Sequence, residues 1–189
     1  MKRLCFGLLC LAGCFACTSR SESRLQDLIG KRIEFPFHSA WSNDLVLPAD
    51  TVASITILSY YNAEGCTPCR LKELAMWRGP MSEQTQIRYL YVLNTQNIAL
   101  KELKWTLEGM RIDHPVYLDT AGLFERSNPG LPTNPVFHTF LLDKENRVVL
   151  VGSPIGNPKM WELYKSTIAR LAAHGGTLPD EQTKMPLGQ

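Results

Sequence analysis

The sequence predicts an α/β fold, a central mixed β-sheet with helices on both faces. Three observations predict it. Two apolar runs rich in β-branched and aromatic residues, 52–61 and 86–94, are each followed by a helical pattern. Two later runs, 136–142 and 147–152, flank Asp143-Lys144-Glu145-Asn146, which reads as a hairpin turn. A last amphipathic stretch opens at Asn157-Pro158 and carries Met160, Trp161, Leu163, Tyr164, Ile168 and Leu171 at helical spacing.

The chain begins with an address. Met1-Lys2-Arg3 supplies positive charge, and residues 4–12 form an apolar core too short for a permanent membrane-spanning helix. Leu11-Ala12-Gly13-Cys14 resembles the lipobox of bacterial lipoproteins. By that resemblance residues 1–13 are a signal peptide, Cys14 becomes the mature N-terminus, and a lipid such as palmitate anchors it to a membrane. The alternative is an ordinary secretory signal with a chance cysteine at the cleavage site. Cys17 fits less well, because Cys14 stands where the pattern wants leucine three residues before it. Residues 14–30 then serve as lipidated end and tether. No acidic cluster follows the lipid cysteine, which points to a periplasm-facing location in the bacterial envelope.

Lys2 and Arg3 leave with the signal, so the 20 basic residues fall to 18, equal to the 18 acidic ones. No basic run survives, which excludes an evident nucleic-acid partner. The thiols left are Cys14, Cys17, Cys66 and Cys69, too few to staple a chain of this length. The core must come from apolar packing. Export to an oxidising compartment makes a disulfide plausible.

The expected domain occupies 31–175, with a frayed tail at 176–189. Residues 31–37 alternate polar and apolar, but Pro36 confines them to an edge or a strand end. Residues 41–50 read as loop, with Trp41 a possible border of a substrate groove. Run 52–61 is the best strand, apolar on both faces as in the middle of a sheet. The helix after it extends to about Arg78 and stops at Gly79-Pro80. Strand 86–94 precedes a helix at 95–109, on which Leu100, Leu103 and Leu107, with Met110 just beyond, share one face. Residues 115–119 form a short strand, and 119–135 a loop with one helical turn at Leu123-Phe124. Trp77, Trp105 and Trp161 fall on helices and read as core aromatics.

The chemistry lies at the first strand-to-helix join, Asn62-Ala63-Glu64-Gly65-Cys66-Thr67-Pro68-Cys69. Proline in a first helical turn loses no hydrogen bond, so Pro68 marks a helix start. Cys66 then sits at the mouth of a helix, where free N–H groups and the positive dipole end favour a thiolate. Cys69, one turn further in, is within reach for a Cys66–Cys69 disulfide. Attack by Cys66 as nucleophile and resolution by Cys69 is thiol–disulfide exchange. An inert closed disulfide and half of a metal site are the alternatives. No second cysteine pair follows, and His38, His114, His138 and His174 lack zinc-finger spacing.

The order strand–helix–strand–helix–strand, hairpin, helix, with this motif at the first join, resembles the thioredoxin-like thiol–disulfide oxidoreductases, in particular membrane-attached ones of the bacterial envelope. The run Thr139-Phe140-Leu141-Leu142-Asp143-Lys144 is similar to the family's penultimate strand and turn. The resemblance implies a thioredoxin-like three-layer fold, protein thiols or disulfides as substrates, a redox partner that the sequence leaves unnamed, and no organic cofactor. Three departures accompany it. Gly65 stands where the family has tryptophan. Tyr60 stands six residues before Cys66, where thioredoxins bury a carboxylate; the nearest acid is Glu64, either a turn residue or a proton carrier. Phe137 occupies the position expected for the family's cis-proline, with Pro135 two residues upstream as the substitute. His138 reads as a strand-end histidine with a satisfied hydrogen bond. Alternatively it stabilises the Cys66 thiolate, or joins Cys66 and Cys69 as a copper(I) ligand in a metallochaperone. A non-catalytic partner-binding lipoprotein is the other rival.

Overall fold

A computed structural model describes residues 25–36, 55–62, 67–77, 79, 87–96, 98–110 and 116–178, with the side chains of 67–70 left undescribed. Strand β1 (Thr56–Tyr61) is buried at every position, as its two-sided apolar character requires. It lies in the middle of a five-stranded sheet of order β3-β2-β1-β4-β5. Strands β2 (Arg88–Asn94) and β3 (Val116–Asp119) extend the sheet in parallel on one side. Strands β4 (Thr139–Leu142) and β5 (Val148–Val151) extend it antiparallel on the other. The sheet is accompanied by helices α1 (Thr67–Met76), α2 (Leu100–Gly109), α3 (Leu123–Ser127) and α4 (Pro158–Ala173).

Side chains alternate across a strand, so each strand feeds two cores. Ile57, Tyr61, Tyr89, Tyr91 and Leu93 meet Leu71, Leu74 and Trp77 from α1 and its end, and Tyr164, Ile168 and Leu171 from α4. Leu58, Tyr60, Leu90, Val92, Phe140 and Leu142 meet Phe124 of α3 and Leu25, Leu28 and Ile33 of the N-terminal segment. The expected α/β architecture is therefore present, with a cover on each face of the sheet. Local chemistry sets its joints. The Asn157 side chain caps α4 by accepting from Met160 N at 3.1 Å, with Pro158 in the first turn. In the β4–β5 turn, Asp143 Oδ1 accepts from the backbone N–H groups of Glu145 and Arg147, both at 2.8 Å. Asp143 Oδ2 accepts from Arg147 Nε at 2.9 Å.

Several expectations need correction. The helix expected from residue 95 starts at Leu100, because Asn94 Oδ1 accepts from Gln96 N and holds a turn there. On that helix only Leu103 and Leu107 are buried; Leu100 is exposed, and Trp105 is 79% exposed rather than a core aromatic. Trp77 is fully buried and Trp161 packs partly against the core, as expected. The strand expected over 136–142 starts at Thr139, because Pro135–Phe137 forms a 3₁₀ turn. The strand expected over 31–37 is reduced to one bridge, Arg32 to Arg147. Around it Val148 N donates to Lys31 O and Ile33 N to Asn146 O, each at 2.8 Å. Leu25 and Leu28 lie upstream of the expected domain start and Leu178 beyond its expected end, yet all three are buried in the cores.

Candidate functional site

β1 ends at Tyr61 and α1 begins at Thr67, so the sequence motif spans a strand-to-helix corner. Pro68 is the second residue of α1 and Cys69 the third. Cys66 directly precedes the helix and lies outside the described residues, as do Glu64, Gly65, Cys14, Cys17 and Trp41. The Cys69 side chain and the Cys66–Cys69 pairing are outside them as well.

The wall beside this corner is well defined. β4 pairs with β1, and Tyr60 N donates to His138 O at 2.8 Å just before the start of β4. His138 is 4% exposed, and its Nε2 lies 2.6 Å from Pro132 O. Of the hydrogen bonding expected for a strand-end histidine, the Nε2 contact is present. For His138 to ligate a metal through Nε2, that bond must break, and the described residues hold no cluster of three or more metal-binding side chains. Pro135 opens the 3₁₀ turn, in which Asn134 Oδ1 accepts from Val136 N at 3.1 Å. No peptide bond among the described residues is cis, so neither Pro135 nor Phe137 supplies the cis-proline that the resemblance implied.

Tyr60, at the position where thioredoxins bury a carboxylate, is itself buried. Its ring lies 4.9 Å from Phe124 and 5.3 Å from His138. Burial pushes its pKa up, against a lowering by the Asn94 amide, so the group is a neutral phenol at ordinary pH. Its hydroxyl accepts from Asn94 Nδ2 at 3.4 Å and hydrogen-bonds the Glu125 carboxylate, which raises the pKa further.

Glu125 comes from α3, and the sequence reading missed it. The helix exists because Asp119, at the end of β3, turns its carboxylate onto three backbone N–H groups: Ala121 at 3.3 Å, Leu123 at 2.8 Å and Phe124 at 2.9 Å. Gly122 permits the turn with φ of 65°; a Cβ there would lie 2.8 Å from Gln96 Oε1. Asp-Thr-Ala-Gly was the available signal, an acid and a glycine in N-cap order.

Between Asn62, Glu125, the 130–133 loop and His138 lies a cleft of about 330 Å³. Asn128 frames it with its amide fully engaged. Its Nδ2 donates to Glu34 O at 2.9 Å and Phe124 O at 2.8 Å, and its Oδ1 accepts from Glu34 N at 2.8 Å. Asn62 differs: its Oδ1 is buried and meets no hydrogen-bond donor among the described residues. A buried acceptor in that condition costs about 1–3 kcal/mol.

The sheet order, the strand-to-helix corner and the hairpin followed by α4 define a thioredoxin-like α/β fold. No protein-family model matches the chain, and no curated protein matches it. Solved structures do. An uncharacterized conserved protein from Geobacillus kaustophilus is 11% identical with a TM-score of 0.50, over 66% of this chain and 68% of that one. A candidate thiol–disulfide oxidoreductase from Bacteroides vulgatus is 15% identical with a TM-score of 0.48, over 64% of this chain and 78% of its own. An uncharacterized thioredoxin-like protein from Porphyromonas gingivalis is 23% identical with a TM-score of 0.42, over 61% and 74%. At these identities the likeness is one of fold.

Proposed function

We propose that the protein is a thiol–disulfide oxidoreductase of the bacterial envelope. The Cys66 thiolate attacks one sulfur of a substrate disulfide, forms a mixed disulfide and releases the other sulfur as a thiolate. Cys69, deprotonated, then attacks Cys66, closes the Cys66–Cys69 disulfide and releases the second substrate thiolate. Two electrons pass to the substrate; the reverse sequence oxidises a dithiol. The carrying observation is the helix that begins at Thr67, one residue after Cys66, in a thioredoxin-like sheet. Free N–H groups at that helix start stabilise a thiolate and lower its pKa. Protein thiols and disulfides are the substrate class. Cys14, carrying lipid, holds the domain at the periplasmic face of a membrane through the tether.

Two measurements test this. The reduced protein should reduce a model protein disulfide, and Cys66→Ser should fall to the uncatalysed rate; a variant as active as the unmutated chain ends the enzyme reading. Labelled palmitate should enter the expressed full chain and be absent from Cys14→Ser; equal labelling of both removes the anchor.

A further inference from the structure

We infer that the cleft beside the strand-to-helix corner binds a basic side chain of the substrate polypeptide, lysine or arginine, close to its reacting cysteine. The inference deepens the proposed function and rests on it.

Position is the first argument. Asn62, in the cleft wall, directly follows β1 and stands four residues before Cys66. A chain extends by at most about 3.6 Å per residue, so the four residues from Asn62 to Cys66 can span no more than about 14 Å. A substrate strand of four residues covers the same distance. A side chain a few positions from the reacting cysteine can therefore enter the cleft while its sulfur meets Cys66.

Chemistry is the second. Among the described residues lining the cleft, Glu125 is the only acid or base with a fixed charge, and no ion pair among the described residues includes it. It hydrogen-bonds the neutral Tyr60 hydroxyl, which holds the carboxylate without cancelling its charge. Asn62 lines the same cleft, and its Oδ1 is buried without a hydrogen-bond donor among the described residues. Asn128 is bound to the backbone of Glu34 and Phe124, and His138 Nε2 meets Pro132 O. The fixed charge that the described lining offers a ligand is negative, and its complement is a cation with several N–H groups. Guanidinium fits best, because it presents five donors in a planar fork. The volume is at the low end for ligand pockets and suits one long side chain rather than an organic cofactor.

The test uses the full chain and fluorescent decapeptides in which serine replaces the reacting cysteine and the residue two positions away is Arg, Ala or Glu. Anisotropy should show the Arg peptide bound about five- to tenfold more tightly than the Glu peptide. Glu125→Gln should bring the ratio to within about twofold, and Glu125→Lys should invert it. Equal binding of Arg and Glu peptides by the unmutated protein overturns the inference, and so does a preference that survives both variants. If argininamide alone binds as tightly as the Arg peptide, the occupant is a small cation and the inference is likewise lost. The same peptides with cysteine, presented as mixed disulfides, separate the two readings. Arg-selective binding without exchange sinks the redox function and leaves the cleft. Exchange that is indifferent to the flanking residue sinks the cleft and leaves the redox function.

Discussion

The two faces of the sheet are closed in different ways. One is covered by α1, α4 and apolar side chains, with Trp77 and Tyr164 wholly buried between helix and sheet. The other has the five-residue α3, the N-terminal segment and the 128–138 loop, held by Asp119, Asn128 and His138 through side-chain-to-backbone bonds. Helix packing satisfies its own backbone and leaves mainly aliphatic and aromatic side chains to fit. A cover made of loops must borrow side chains to satisfy its N–H and C=O groups. That need puts polar residues next to the sheet, and the cleft opens among them. The apolar face supplies stability; the polar face supplies a surface that can discriminate.

Substitutions break or sharpen this contrast. The largest effect should come from Trp77→Ala on the helical face. It empties a fully buried indole site beside Tyr89, with ring centroids 5.9 Å apart, and should cost about 3–5 kcal/mol in urea unfolding. On the polar face, Asn128→Ala removes three hydrogen bonds but no large volume. The expected loss is about 1–3 kcal/mol, with amide exchange quickened at Glu34, whose N–H loses its acceptor. A loss as large as that of Trp77→Ala would erase the distinction between the faces.

Alkali should press on both faces. Burial raises the pKa of Tyr60 on one side and of Tyr91 and Tyr164 on the other. Below about pH 10 these tyrosines are protonated both folded and unfolded, and their contribution is complete. As pH rises further the unfolded chain releases protons that the folded one retains, so stability falls, by about 1.4 kcal/mol per pH unit for each such group. Thermal melting between pH 9 and pH 11 should show the fall, and Tyr91→Phe should make it shallower. The smallest effect belongs to Trp105→Ala. An indole 79% exposed should cost less than about 0.5 kcal/mol; a larger loss would place it in a core after all.

Much of this was legible in the sequence. β1 and β2 carry β-branched and aromatic residues at both parities, which only a doubly covered strand can bury. Asn157-Pro158 announces α4 through a side-chain cap and a proline that needs no N–H. Asp143 announces its hairpin for a similar local reason. Trp105 was misread because spacing defines a helical face without saying what lies opposite it, and α2 rests on the core through Leu103 and Leu107 alone. The strand expected from 136 was misread because the Asn134 side chain outcompetes the ladder for Val136 N.

The sequence by itself determined the order of strands and helices, and the corner in front of α1 where the cysteine motif stands. Those depend on neighbours within a few positions, where periodicity, caps and proline act. Only the tertiary structure decided which helical face is wet, that Leu25, Leu28 and Leu178 are core residues, and that Glu125 stands over Tyr60 beside Asn62. The physical reason is separation along the chain. Tyr60 and Glu125 meet because β3 ends in an aspartate that starts a short helix above β1, and no local pattern records a contact between elements so far apart.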